Sequence, residues 1–256
     1  MSLSKDLSVK LYQSIAEENE ERVYKLWHAS SISICPRAHY FHRLGVAGLT
    51  KPSGAKVIRW GAGHKLEEQL RPHIDKVWGE TSANVRLTSD KWSLTGEYDN
   101  LSKDGKTLIE VKSVSDWAFY KGPLTSETTL KQDSGEKNKW NRPVYEPMPE
   151  PYIHHVLQNH AYALLLGETV ENIDFVYASL SGLLCVYQTK VEPKYIEWVK
   201  RRLTLLNEAW EAQEPPECLC DESSPLWGPV FQWCDYRTDA GCCSLDLAKD
   251  KHGKSI

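Results

Sequence analysis

The sequence predicts an α/β fold in which helices flank a mixed central sheet. Three observations predict it. Stretches with helical spacing of apolar residues alternate with stretches that alternate like strands along most of the chain. One pair of strand-like runs turns at Asp104-Gly105, a dipeptide preferred in tight hairpins. Of 256 residues, 41% are hydrophobic and 26% charged, with 15 Gly and 13 Pro, which excludes disordered, collagen-like and coiled-coil chains. A chain of this length is near the upper end of what one core serves, so a single domain over 1–256 is expected.

The elements follow in order. Residues 5–28 place Leu7, Leu11, Ile15 and Val23 on the apolar side of a helix. Ser31 or Ser33 is placed to cap a short helix carrying Ile34, Tyr40, Phe41 and Leu44 that stops near Gly45. These make an N-terminal helical segment, 1–50. The core is expected over 51–213. Within it, Gly63 to about Trp78 reads as an amphipathic helix, 83–99 alternates as strands do, and 106–114 reads as a further strand. The stretch 124–150 is polar, contains prolines and has no periodicity; a loop of that length in a compact domain is expected to be functional, mobile or both. A helix over 152–167 ends at Gly167, and the runs 172–180 and 183–189 pair about Ser181-Gly182. Residues 194–213 form the last helix, with Lys200, Arg201 and Arg202 consecutive on it.

From Pro215 the chain changes character. Prolines break any helix, and five of the seven cysteines fall between 218 and 243, so the segment 214–256 needs something to staple it. No window approaches 18 consecutive apolar residues, and the N-terminus has no apolar secretory segment. The expected compartment is therefore a reducing cytoplasm (the host cytoplasm if the source is viral), without membrane association. In such a compartment a cysteine-rich segment points to a metal or cluster rather than disulfides. The net charge of -4 provides no global attraction to a polyanion, so any positive surface must be local.

The most informative segment is the hairpin 94–114. Centring its turn on Asp104-Gly105 puts Leu101 opposite Leu108 and Asp99 opposite Glu110, so Glu97, Asp99, Glu110 and Lys112 share one face. Two carboxylates directly opposite on a sheet lie about 5 Å apart at Cβ and repel. A divalent cation such as magnesium, which prefers oxygen ligands, removes the repulsion. Lys112 projects toward the same place, where an ammonium offsets charge developing on a phosphate or positions a water. Ile109 and Val111 point into the core and make the site rigid.

Gly96-x-x-Asp99 followed by Ile109-Glu110-Val111-Lys112 resembles the PD-(D/E)XK nuclease superfamily, in its RecB-like exonuclease branch. Two further motifs match in order: Trp60-Gly61-Ala62-Gly63-His64 resembles the upstream G-x-x-H helix start, and Gln158-Asn159-His160-Ala161-Tyr162 resembles the downstream Q-x-x-x-Y helix. The resemblance implies a restriction-endonuclease-like fold. It also implies that Asp99, Glu110, His64 and the backbone carbonyl of Val111 hold one or two Mg²⁺ or Mn²⁺ ions, and that Lys112 helps activate water. Gln158 and Tyr162, one turn apart on a helix face, would hold the DNA strand or orient Lys112.

One early cysteine, Cys35, with a C-terminal group resembles the iron-sulfur subset of these nucleases, which includes CRISPR-adaptation and phage exonucleases. That implies a four-iron four-sulfur cluster on Cys35, Cys220, Cys234 and Cys242, with Cys218 and Cys243 as alternates, in a lobe that joins the chain ends. Phe231 stands where the family's C-x-x-C has its first cysteine, and zinc on four thiolates is the competing reading. Cys185 falls in an apolar strand pattern and reads as core. Lys51, Lys56, Arg59 and Lys65 gather near His64, and Lys131, Lys137, Lys139 and Arg142 interleave with Trp140 and Tyr145, an arrangement suited to single-stranded DNA.

The function expected is metal-dependent hydrolysis of DNA, exonucleolytic and on single strands or ends, in recombination or DNA processing. A homo-oligomer or a recombination partner protein is compatible with it. Two alternatives are a non-catalytic DNA-end-binding module and a redox-responsive iron-sulfur regulator on the same fold.

Overall fold

The computed structural model describes residues 5–17, 25–46, 53–115, 133–137, 143–145, 150–167 and 169–218. The first helix, α1 (Lys5–Glu17), is followed by a two-residue strand, β1 (Trp27–His28), and a turn of 3-10 helix at Ala29–Ser31. Strand structure at Trp27 replaces the end of the helix expected over 5–28. The next helix, α2 (Pro36–Leu44), is led by Cys35 rather than by Ser31 or Ser33. Pro36 fits its first position because the N–H that proline lacks would go unpaired there. The helix stops at Gly45, in the left-handed region at φ 74°.

The long helix α3 (Gly54–Trp78) begins before Gly63, where Ser53 caps it by accepting from the Lys56 N–H, and it carries Pro72 within its length. The alternation at 83–99 resolves into two antiparallel strands, β2 (Thr81–Ser89) and β3 (Leu94–Ser102), and β4 (Thr107–Ser113) follows. A short ribbon, β5 (Asp133–Lys137) with β6 (Pro143–Tyr145), is the described part of the long polar stretch. Then come α4 (Ile153–Leu165), β7 (Asn172–Ala178), β8 (Leu184–Lys190) and α5 (Pro193–Ala212).

The main sheet has the order β1-β3-β4-β7-β8, with β2 on the other edge of β3. Parallel pairs (β1 with β3, β4 with β7) and antiparallel pairs make it mixed, and helices cover it on both sides. Leu108, Ile109, Glu110 and Val111 of β4 are all buried, which explains the apolar run there. On one face Leu70, Ile74 and Trp78 of α3 pack on Ile109, Val111 and Val176. The larger core lies on the other face, where Tyr162, Phe175, Tyr177, Leu203 and Leu206 meet Trp27 and Phe41. Trp27 donates its indole N–H to Asn207 Oδ1 at 2.6 Å, and the Arg43 guanidinium lies 4.3 Å from the Trp27 ring and 4.1 Å from the Trp210 ring. Among the described residues no helix is long and apolar enough to cross a membrane.

The β3–β4 hairpin has the expected register, Leu101 opposite Leu108, but a different turn. Only Gly105 takes a positive φ, +73°. Asp104 instead uses its carboxylate, which accepts from Ser102 Oγ at 2.6 Å and from the Lys106 N–H at 3.0 Å. The ladder is short: β3 and β4 pair at Asn100–Ile109 and Leu101–Leu108 and then part. Since β2 runs along one edge of β3 up to Leu94 and Thr95, β1 must meet those same two residues from the edge that β4 has left. A fork results, bounded by β4 on one side and closed at its far end by β1.

Candidate active site

The fork gathers most of the chemistry-bearing residues. Asp99 sits where the ladder has opened, and its Oδ2 accepts a 2.8 Å hydrogen bond from the Val111 N–H. A side chain thus takes the place of a strand partner and ties the two prongs together. Glu110 and Lys112 alternate onto one face of β4, where the Lys112 ammonium contacts Glu110 Oε1 directly. Glu110 is 1% exposed and Lys112 23% exposed, so the pair is largely shielded from solvent and the lysine is its more open member.

From above, α4 lowers Gln158 into the fork. Its amide Nε2 donates to Glu110 Oε1 at 3.1 Å and to the Tyr162 hydroxyl at 2.8 Å. Both residues are buried, Gln158 at 8% and Tyr162 at 2% exposed, so in this arrangement they hold Glu110 rather than face solvent. Gly96 makes room for them: a Cβ built there would lie 2.6 Å from Tyr162 Cε1 and 2.8 Å from Ala29 Cβ. Gly96→Ala is therefore expected to cost about 1–3 kcal/mol of stability, as overpacking does, and to displace the Tyr162–Gln158 pair. Chemical denaturation checks it; an unchanged midpoint would show that the site tolerates the methyl.

On the opposite side, α3 approaches β4 closely at Gly63, whose added Cβ would meet Ser113 Oγ at 2.7 Å. That contact sets the helix against the fork. His64, however, is 72% exposed and lies 3.4 Å from Glu67 Oε2. The residue that α3 brings toward the carboxylates is Glu67, which the motif reading did not single out. Its spacing, three residues after His64 and on the same helical face, was the available signal.

The electrostatics are those of crowded acids. Burial, then repulsion from Asp99, pushes the Glu110 carboxyl up to about 7, against the pull of Lys112. Burial and Asp99 likewise raise Glu67. For Lys112 burial disfavours the charge, but Glu110 and Asp99 outweigh it and hold the ammonium above the usual lysine range. Among the described residues no set of three His, Cys, Asp and Glu side chains is gathered so as to hold a metal ion. The donor chemistry nevertheless fits a hard divalent cation. Asp99, Glu110 and Glu67 are oxygen donors, the charge of Asp99 raises the proton affinity of both glutamates, and a cation relieves that repulsion.

The cysteine set is only partly in view. Cys35 is buried at the head of α2, and Cys218 is half-buried against the main core. Arg37 Nη1 donates to the Pro216 carbonyl at 3.3 Å, so the chain leaving α5 returns to the start of α2. Cys220, Cys234, Cys242 and Cys243 lie outside the described residues, as do the side chains of the basic and aromatic group at 131–145. Cys185 is half-buried on β8 and packs on the main core.

No family model matches the chain, and no curated protein matches it as a relative. Among solved structures, the chain is similar to LHK-Exo, an alkaline exonuclease from Laribacter hongkongensis, in complex with dAMP. The identity is 17%, the TM-score 0.50, and the match covers 74% of this chain and 90% of that one. At that identity the likeness is one of fold: the restriction-endonuclease-like mixed sheet is common to both. SSO0001 matches at 14% identity and TM-score 0.48, over 91% of this chain and 96% of the other. A phage-related exonuclease from Haemophilus somnus matches at 14% and 0.39, over 59% and 69%.

Proposed function

We propose that this chain is a divalent-metal-dependent deoxyribonuclease, an exonuclease acting on DNA ends or single strands. The observation that carries the reading is the opened β3–β4 fork, where Asp99, Glu110 and Lys112 stand together with Glu110 buried. The fold shared with an alkaline exonuclease crystallised with a nucleotide supports it. In this reading Asp99, Glu110 and the Val111 carbonyl hold Mg²⁺ or Mn²⁺, with Glu67 and behind it His64 completing the acidic side. The cation supplies Lewis-acid polarisation of the phosphodiester. Lys112 offsets charge growing on the phosphate, and Gln158 and Tyr162 keep Glu110 turned into the fork.

The same proposal takes 1–256 as one nuclease domain, with the N-terminal segment 1–50 and the cysteine-rich segment 214–256 flanking the core 51–213. A four-iron cluster on Cys35, Cys220, Cys234 and Cys242 would staple those ends, and about four irons per chain in the purified protein would support it over zinc. The partner is DNA, in the cytoplasm, during recombination or DNA processing.

The test is cleavage of 5′- and 3′-labelled single- and double-stranded DNA with magnesium or manganese, with and without chelator. Cleavage that needs the metal is the expected result, and the ladder gives the polarity. DNA binding with no cleavage in either metal would favour an end-binding module instead.

A further inference from the structure

The N-terminal turn of α4 carries a group of rings that the proposed chemistry does not use. Tyr152, His154 and His155 form one aromatic cluster: the Tyr152 ring centroid lies 5.4 Å from His154 and 5.7 Å from His155, and the two imidazoles are 4.1 Å apart. The cluster is anchored from below. The Tyr177 hydroxyl lies 2.8 Å from His155 Nδ1 and accepts from the Tyr152 N–H at 3.2 Å. Tyr177 is the β7 residue paired in register with Lys112 of β4, so the rings stand over the strand next to the candidate site. His155 is half-buried beneath, whereas His154 is exposed.

These rings are uncharged. Crowding by surrounding protein, then the Lys112 ammonium, holds His154 below the ordinary imidazole value although the residue keeps a solvent-exposed surface, and burial, His154 and Lys112 do the same for His155. Neutral imidazoles are poor partners for phosphate but good flat surfaces. A rigid, uncharged aromatic shelf beside a lysine matches a nucleotide in which a base must rest while its phosphate meets a cation.

We propose that Tyr152 and His154 form a stacking subsite for an unpaired nucleobase adjacent to the scissile phosphate. The inference rests on the nuclease reading and deepens it: the substrate would be engaged through a base freed from its duplex. His154 is the exposed surface, and Tyr152, braced on Tyr177, sets its orientation.

The test is a double cycle in the Lys112→Ala background, which allows binding without cleavage. Single strands ending in 2-aminopurine or in an abasic residue are bound to Lys112→Ala and to Lys112→Ala with His154→Ala. Stacking quenches the 2-aminopurine fluorescence. We expect quenching that disappears with His154→Ala, and an affinity loss of about tenfold from either the variant or the abasic end. The two losses should not add, because each removes the same contact. Tyr152→Phe should retain the quenching and Tyr152→Ala lose it. Full quenching with His154→Ala, or losses that multiply, would overturn the subsite. Wild-type cleavage run in parallel separates the two levels. If it cleaves while the losses multiply, only the subsite falls; if it neither cleaves nor binds DNA, the nuclease reading falls and takes the subsite with it.

Discussion

Lys112→Ala is expected to lower DNA cleavage by at least about a hundredfold, the usual cost of removing a group that stabilises transition-state charge. The fold should survive, and the reason lies in Glu110. Deleting the ammonium leaves this carboxyl buried among Asp99 and Glu67, but its pKa is already about 7 and rises further when the lysine is gone. The group therefore takes up a proton instead of remaining a buried unpaired charge. The sign of the stability effect follows. A carboxyl whose folded pKa lies above its unfolded value contributes stability that is present below the unfolded pKa, near 4.5, and is lost as pH rises through the folded one. Lys112→Ala should thus cost little at pH 5.5 and increasingly more toward pH 8, relative to wild type. Denaturation midpoints at both pH values, run beside the cleavage assay, give the answer. Activity within a few-fold of wild type would remove Lys112 from the chemistry.

The second large effect is acid lability. His39 and His160 are buried at 2% and 1% exposed, and both are held as neutral acceptors. His39 Nε2 accepts from the His28 N–H at 3.1 Å, and His160 Nε2 accepts from the Glu192 N–H at 3.0 Å. Burial lowers both, as it does His155. Protonation at Nε2 would break each bond, so below pH 6.5 the unfolded chain binds protons that the folded chain refuses. Stability then falls with pH, at most by about 1.4 kcal/mol per unit for a histidine fully protonated in the unfolded chain and neutral in the folded one. Glu110, raised to about 7, acts with the opposite sign above its unfolded value near 4.5, and Glu67, also raised, acts in the same sense as Glu110. Four lowered histidines, His39, His154, His155 and His160, outnumber the two raised carboxyls, so stability is expected to fall from pH 6.5 to 5.5. His39→Gln, whose amide oxygen can replace the ring acceptor and cannot be protonated there, should make the slope shallower. A wild-type slope of zero or reversed sign would show that the histidines are not the dominant groups.

What could be read from the sequence is what is local. The hairpin register needed only alternation and a turn dipeptide within 94–114, so Leu101–Leu108 pairing and the placement of Glu110 with Lys112 followed from it. The Gln158–Tyr162 spacing is one helical turn and likewise survives any tertiary arrangement. The fork was not readable. It depends on β1, two residues long, arriving from distant sequence to meet Leu94 and Thr95, and a two-residue strand carries no periodicity. Glu67 was missed for a related reason: its helix has apolar, basic and acidic residues on most sides, and the close approach at Gly63, with the packing of Leu70, Ile74 and Trp78, is what shows which side meets the sheet. The tight hairpin turn expected at Asp104-Gly105 takes another form because Asp104 had a second way to satisfy the backbone, through its own carboxylate.

The bond between Trp27 and Asn207 joins residues 180 positions apart. Together with Arg43, whose guanidinium lies over both the Trp27 and Trp210 rings, it builds the lid of the main core from parts of the message far apart. A ribosome adds roughly 5–20 residues per second, so the tryptophan waits about 10–40 s for its partner. During that interval Trp27, Tyr40 and Phe41 have no α5 to cover them, and the nascent chain presents an aromatic surface of the kind that chaperones bind. Truncation anywhere before residue 207 would make that exposure permanent.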